Sequence, residues 1–208
     1  NLELTVRYTL TDENALVLDY TATTDAPTII NLTNHSYFNL EGQSSGSMLE
    51  QTLCLNASTF TEGNAETCPT GRILPVAGTP MDFTRAKPIG RDIQAEYSQL
   101  QMCGGYDHNF ILDKEPGMLA LAAVARSEKT GITMETYTTQ PGVQLYTSNS
   151  LQNDTRPGKT GGIYGRYQGF CLETQHYPCT PSHPEFPSVE LRPGEEYHET
   201  TIYKFLTE

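Results

Sequence analysis

The sequence predicts an all-β fold, an antiparallel β-sandwich, from two observations. First, apolar and polar residues alternate along residues 2–6, 16–20, 134–137 and 201–205. This period of two places every second side chain on the same face of a strand. Second, groups of turn-forming residues separate such runs, for example Lys129-Thr130-Gly131.

The elements follow in order along the chain. The run at 2–6 begins a strand directly after Asn1, and the turn residues at 11–14 lead into the second run at 16–20. Only residues 89–99 have a pattern compatible with a short helix. The Gly pair at 104–105 and the Pro-Gly pair at 193–194 indicate further turns. We expect a single domain.

Composition restricts the partners of this chain. Its 208 residues are enough to bury a core. The 13 basic and 25 acidic side chains give a formal charge of −12, which repels nucleic acid and anionic membranes and favours a neutral substrate. No apolar stretch approaches the roughly 18 residues that cross a bilayer. We therefore expect no nucleic-acid or membrane partner.

The cysteines are odd in number and scattered, with no paired spacing that suggests zinc or a redox motif. They are Cys54, Cys68, Cys103, Cys171 and Cys179. A reducing compartment is the simpler interpretation, and we expect a cytoplasmic protein.

A single carboxylate, Glu173, lies in the strand-like apolar stretch GFCLETQHYP at residues 169–178. We expect it at the end of a strand, beside the proline-rich loop that begins at Pro178. Such a position favours a raised pKa and a role as general base. The alternative, a structural acceptor for backbone N–H groups, is about as well supported by this residue alone.

A second candidate, His35, lies in NLTNHSYFNL at residues 31–40, next to Asn34 and Tyr37. An imidazole can donate a proton, and the amide and aromatic side chains suit a hydroxylated ligand. Taken alone, His35 is better explained as a hydrogen-bonded turn residue.

Two further polar residues are candidates for binding. Asp107 follows the Gly pair in GGYDHNFIL, and Gln144 lies in TTQPGVQLYTSN after a Pro-Gly turn. Taken alone, Asp107 is explained by turn formation, and Gln144 by a surface amide.

Together these runs resemble the aldose 1-epimerases, also called galactose mutarotases. Five segments resemble the signature blocks of that family, in the family's order and across nearly the whole chain. They are TNHSYFNL (33–40), LPVAGTPMDF (74–83), GYDHNFIL (105–112), TTQPGVQLYT (138–147) and GFCLETQHYP (169–178) followed by HPEFPS (183–188). Five ordered blocks outweigh the alternatives for each residue alone.

The resemblance implies a galactose mutarotase-like supersandwich that interconverts the α and β anomers of free hexoses without a cofactor or metal. By the same resemblance, Glu173 is the base for the anomeric hydroxyl and His35 is the acid for the ring oxygen. Asp107 and Gln144 match positions that hydrogen bond the sugar hydroxyls. Asn34 and Tyr37 are weaker candidates for lining the site.

The chain also departs from the family pattern. Family members are longer, and an Arg and a His in their first half, which contact the sugar, have no counterpart here. We therefore expect residues 1–208 to be the C-terminal portion of a single aldose 1-epimerase domain. The missing N-terminal half would be a partner, in the same or another chain.

Three other functions stay open at this stage. A noncatalytic carbohydrate-binding module of the same fold would keep the cleft and bind sugar without turnover. An epimerase of phosphorylated hexoses would need clustered Arg or Lys for the phosphate, which the negative charge disfavours. A structural or interaction role has no distinguishing patch in the sequence.

Overall fold

The computed structural model describes residues 1–151 and 156–207. Two antiparallel sheets make up most of it, and a two-stranded sheet pairs β3 (Thr28–Ile29) with β13 (Glu190–Leu191). The first large sheet contains, in spatial order, β1 (Leu2–Leu10), β2 (Ala15–Thr24), β14 (Tyr197–Thr207), β10 (Ile132–Thr138), β9 (Ala120–Arg126), β4 (Thr52–Leu55) and β7 (Lys87–Pro88). The second contains β12 (Cys171–Gln175), β11 (Gly142–Tyr146), β8 (Asp107–Ile111), β5 (Thr59–Gly63) and β6 (Pro69–Pro75).

The apolar core joins the two large sheets. Leu18 and Met134 from the first sheet and Leu145 and Leu172 from the second are fully buried in one cluster. The Tyr203 hydroxyl in β14 donates a hydrogen bond of 2.8 Å to the Leu172 carbonyl in β12, which ties the sheets together. This arrangement confirms the predicted all-β antiparallel sandwich.

The predicted alternating runs lie in strands β1, β2, β10 and β14. The turn after β1 contains Asn14 with φ 58°, a left-handed conformation that Asn tolerates. This turn joins β1 to β2. The two strands are antiparallel, and Leu2 and Leu10 of β1 pair with Thr24 and Leu16 of β2. The first strand therefore finds its partner in the next strand of the chain.

The prediction of a helix over residues 89–99 is wrong. Most of that segment forms turns, and the backbone N–H groups of Ile89 and Gly90 bond to the carbonyls of Gln51 and Leu49. Helix α1 instead spans Ser98–Cys103 and ends at Gly104, whose φ of 65° suits a left-handed C-cap. No helix within the described residues is long and apolar enough to cross a membrane.

Candidate active site

Three adjacent strands of the second sheet present polar side chains on one face. Gln144 in β11 lies opposite Glu173 in β12, and Tyr146 lies opposite both Asp107 in β8 and Cys171 in β12. Directly opposed residues project to the same side of a sheet. Intervening residues such as those at 143, 145 and 172 are buried in the core. Strand alternation thus separates the site from the core.

Glu173 lies at the centre of β12, not at its end as the sequence suggested, and it is only 8% exposed. Its Oε1 lies 3.5 Å from Nε2 of His35. Burial raises the pKa of Glu173 to about 6, the His35 charge opposes this increase, and the Asp107 carboxylate adds to it. A carboxylate with such a pKa suits proton transfer near neutral pH.

His35 is held beside Glu173 by a short backbone bridge and by aromatic rings. Phe38 and Phe170 exchange backbone hydrogen bonds of 2.7 and 2.9 Å, which fixes the loop of His35 next to the start of β12. The imidazole stacks on Tyr37 at 5.0 Å and meets the edge of Tyr146 at 5.9 Å between ring centroids. The His35 side chain stays 50% exposed, so its ring faces the open cleft.

Asp107 and Gln144 form a row of hydrogen-bonding groups next to this pair. Gln144 Nε2 donates to Asp107 Oδ1 at 2.7 Å, and Gln175 Nε2 donates to Gln144 Oε1 at 3.3 Å. Burial raises the pKa of Asp107, whereas the Gln144 hydrogen bond and the His35 charge lower it. This row can both donate to and accept from ligand hydroxyls.

These groups line an open cleft of about 480 Å³, a volume common for small-molecule sites. Of the six predicted site residues, the structure brings five to this cleft: His35, Tyr37, Asp107, Gln144 and Glu173. Asn34 is not among the lining residues. Its Oδ1 instead accepts a hydrogen bond of 3.1 Å from the Ser36 backbone N–H, which forms a turn around His35.

Other lining residues were missed from the sequence. Tyr146 and Gln175 lie two positions from Gln144 and Glu173, so strand alternation could have placed them on the same face. Pro178 begins the proline-rich loop that was expected beside Glu173, whereas Thr67 reaches the cleft from a loop that no local pattern indicated.

His35, Cys171 and Glu173 also offer three potential metal ligands within 4.8 Å of one another, with His35 Nδ1 3.4 Å from the Cys171 sulfur. Burial strongly raises the pKa of the Cys171 thiol, and the Glu173 and Asp107 charges act in the same direction. A thiol must lose its proton to bind a metal. A metal bound here would have to displace that proton, and metal-free action stays a prediction.

The fold and the site define an antiparallel β-sandwich with a carboxylate–imidazole pair in a cleft lined by amide and carboxylate groups. A sequence model of the aldose 1-epimerase family matches residues 1–204. The chain is 42% identical to galactose mutarotase of Rattus norvegicus and 37% identical to aldose 1-epimerase of Escherichia coli K12. This chain belongs to the aldose 1-epimerase family, as its sequence blocks suggested.

Solved structures agree with this assignment. The aldose epimerase homologue from C. elegans superposes with a TM-score of 0.85 at 32% identity, covering 99% of this chain and 60% of that one. Galactose 1-epimerase from Lactobacillus acidophilus gives 0.83 at 30% identity, covering 100% and 57%. The rat and bacterial sequence relatives match 98% and 100% of this chain, which spans only 57% and 60% of their length.

Proposed function

We propose that this chain carries the acid/base pair of an aldose 1-epimerase acting on free hexoses such as galactose or glucose. The observation that carries the proposal is the 3.5 Å approach of His35 Nε2 to Glu173 Oε1 in the open cleft. The family relationship supports the same reaction, because relatives of this chain are named galactose mutarotase and aldose 1-epimerase.

In the proposed mechanism, Glu173 removes the proton from the anomeric hydroxyl while His35 gives a proton to the ring oxygen. The bond between C1 and the ring oxygen breaks and leaves an open-chain aldehyde. Rotation about C1–C2 turns the aldehyde over, and closure on its opposite face reverses both proton transfers. No group is consumed. Positioned proton transfer of this kind contributes about 10²- to 10⁴-fold in rate.

The row of Asp107 and Gln144 would fix the sugar by hydrogen bonds to its hydroxyl groups, so that the anomeric oxygen faces Glu173. Tyr37 would form an aromatic wall beside His35, on which its ring is stacked. For Asn34, a direct contact with sugar stays a prediction. Its hydrogen bond to Ser36 supports an indirect role in holding the His35 loop.

Three sequence-based predictions extend beyond the described residues. We predict that residues 1–208 are the C-terminal portion of one domain. We also predict that an N-terminal half, in the same or another chain, completes the cleft, and that the protein is cytoplasmic. The comparisons match this chain over nearly its whole length and do not test what accompanies it.

The direct test is Glu173→Gln, which keeps the size of the side chain but removes the base. We expect the accelerated mutarotation of freshly dissolved α-galactose, followed by polarimetry, to fall about 10²- to 10⁴-fold. Glu199→Gln is a matched control, because Glu199 is another partly buried carboxyl of raised pKa but lies on β14, outside the cleft.

Activity that survives Glu173→Gln would overturn the assigned base. Sugar binding by the unaltered protein without any accelerated mutarotation would instead favour the noncatalytic carbohydrate-binding module. Calorimetric titration with galactose distinguishes these outcomes, because it reports binding whether or not the sugar turns over.

A further inference from the structure

Two cysteines far apart in sequence lie next to each other at one side of the cleft. Cys68 is in the loop between β5 and β6, and Cys179 follows β12 and precedes a short 3₁₀ helix, Thr180–Ser182. Both are exposed. The Cys68 thiol donates a hydrogen bond of 3.8 Å to the Glu66 carbonyl, and burial together with the interaction with Cys68 raises the pKa of the Cys179 thiol. Their separation in sequence hid this pair from any motif search.

The backbone around the two thiols is also in contact. Nε2 of His183, just after the 3₁₀ helix, lies 3.0 Å from the carbonyl oxygen of Pro69, which follows Cys68. Gly71 has φ +91°, and a Cβ there would lie only 2.9 Å from Nδ1 of the same histidine. The start of β6 and the segment after β12 therefore pack closely, which brings the two cysteine-bearing segments side by side.

This contact lies beside the candidate active site. Thr67 and Pro178, the residues immediately before Cys68 and Cys179, both line the cleft. A covalent bond between the two cysteines would therefore join two walls of the site, one on the β5–β6 loop and the other on the segment that continues from β12.

We propose that Cys68 and Cys179 form a disulfide when the protein meets a low-molecular-weight disulfide such as oxidised glutathione. The thiolate of one cysteine attacks the small disulfide, forms a mixed disulfide and releases one glutathione thiolate. The second cysteine, as its thiolate, attacks the protein sulfur of that mixed disulfide and releases the other. Two protein thiols are oxidised, one small disulfide is reduced, and the two protons end on the released thiols.

The chemistry of the pair sets how this reaction depends on pH. Burial raises the pKa of the Cys179 thiol, and the charge and hydrogen bond of Cys68 raise it further. Because the thiolate is the reacting form, oxidation should accelerate as pH rises. Exposed disulfides are also the readily reduced ones, so the bond should be reversible.

The test is to incubate the purified protein with oxidised glutathione, block free thiols with iodoacetamide, and map cross-linked peptides by mass spectrometry without reduction. We expect one peptide pair joining Cys68 to Cys179, with the loss of two hydrogens, and its disappearance after dithiothreitol. Cys68→Ser and Cys179→Ser should each remove it. Cys54→Ser is the matched control, since that thiol lies on β4 and contacts the Thr84 carbonyl instead.

A second readout examines the bond's effect on the fold. Because the bond closes a long loop, we expect the oxidised protein to melt about 5–10 °C higher than the reduced protein. Glutathione adducts on the two cysteines without the cross-link would overturn the proposal. An unchanged melting temperature in cross-linked protein would overturn the predicted stabilisation.

The expected effect of the disulfide on sugar binding in the cleft rests on the proposed function, and it is measured separately by enzyme kinetics. Thr67 and Pro178 line the cleft, whereas the acid/base pair lies on β12 and the His35 loop, so oxidation should change KM for galactose more than kcat. An unaltered KM in cross-linked protein would show that the disulfide does not affect the cleft. Absence of mutarotation in both redox forms would contradict the proposed function, but not the formation of the disulfide.

Discussion

Strands β12 and β1 both lie at the edge of a sheet, yet their surroundings are opposite. Four of the five residues of β12 are buried, because one face packs on the core and the other lies in the floor of the cleft. In β1 eight of nine residues are exposed. The same alternating pattern thus gives an enclosed environment in one strand and an open one in the other, and in the enclosed strand burial raises the pKa of Glu173.

The exposed face of β1 is apolar. Leu4 and Tyr8 lie opposite Ala22 and Leu18 of β2, which are buried, so β1 extends the core-facing side of the first sheet. Leu10 at its end is 81% exposed. Alternation therefore predicts which side chains share a face, but it does not predict whether that face is covered.

The largest effect should come from removing the proposed acid, His35, which lies next to β12. His35→Gln should lower kcat/KM for mutarotation by about 10²- to 10⁴-fold, because glutamine cannot protonate the ring oxygen. The free energy of unfolding should change little, since the His35 side chain is half exposed. Polarimetry and urea denaturation measure the two quantities.

His198→Gln is the control for this change. His198 is also exposed and also contacts a carboxylate, with Nε2 2.8 Å from Oδ1 of Asp19, but it lies on β14 outside the cleft. Equal loss of activity in both variants would contradict the proposed role of His35 as the acid.

The second prediction compares how much side-chain packing near β12 and in β1 contributes to the free energy of unfolding. Phe170 precedes β12 and is fully buried, so Phe170→Ala should reduce the free energy of unfolding by about 3–5 kcal/mol. Leu10→Ala at the end of β1 should change it by less than about 0.5 kcal/mol. Urea denaturation of both variants checks the contrast, and similar losses would mean that β1 is covered in solution.

A third prediction uses pH. In the proposed mechanism ionised Glu173 is the base, so activity should fall as the pH drops through about 6, the raised pKa of this carboxyl. Because the Asp107 carboxylate helps to raise that pKa, Asp107→Asn should move the fall to lower pH. A fall centred near the ordinary value of 4.5 in the unaltered protein would contradict the raised pKa.

The same group affects stability with the opposite trend. The folded pKa of Glu173, about 6, exceeds its ordinary value of 4.5, so the folded state binds more protons in this range. Stability from Glu173 is therefore fully present below pH 4.5 and is lost as the pH rises through about 6, by about 2 kcal/mol in total. Thermal melts from pH 4 to 7 should show this loss in the unaltered protein and not in Glu173→Gln.

The sequence predicted the β-class, which the structure confirms, and the candidate pair Glu173 and His35, because strand alternation and the family blocks are local patterns. Glu173 and His35 were chosen on such grounds, and the structure places them 3.5 Å apart. The sequence predicted a raised pKa for Glu173, but not the contribution of Asp107, which lies on a strand distant in sequence. The contribution of Thr67 to the cleft could not be predicted either, because it follows from loop packing.

The wrong helix prediction for residues 89–99 has a physical cause. Backbone groups there bond to residues outside the segment, as in the bonds of Ile89 to Gln51 and Gly90 to Leu49. Asn34 also has a partner in the folded chain, the Ser36 N–H two residues on, and its contact with sugar stays a prediction. Which partner such a backbone or side-chain group binds depends on the tertiary structure, so the sequence pattern alone does not predict it.

The smallest effect concerns the apolar face of β1. Leu4→Lys combined with Leu10→Lys should leave the free energy of unfolding of this chain within about 0.5 kcal/mol, because both side chains are already exposed. It should reduce self-association measured by light scattering, since lysine on an open edge strand opposes pairing with another copy. A large loss of stability would show instead that the face is buried in solution, and the contrast with β12 would not hold.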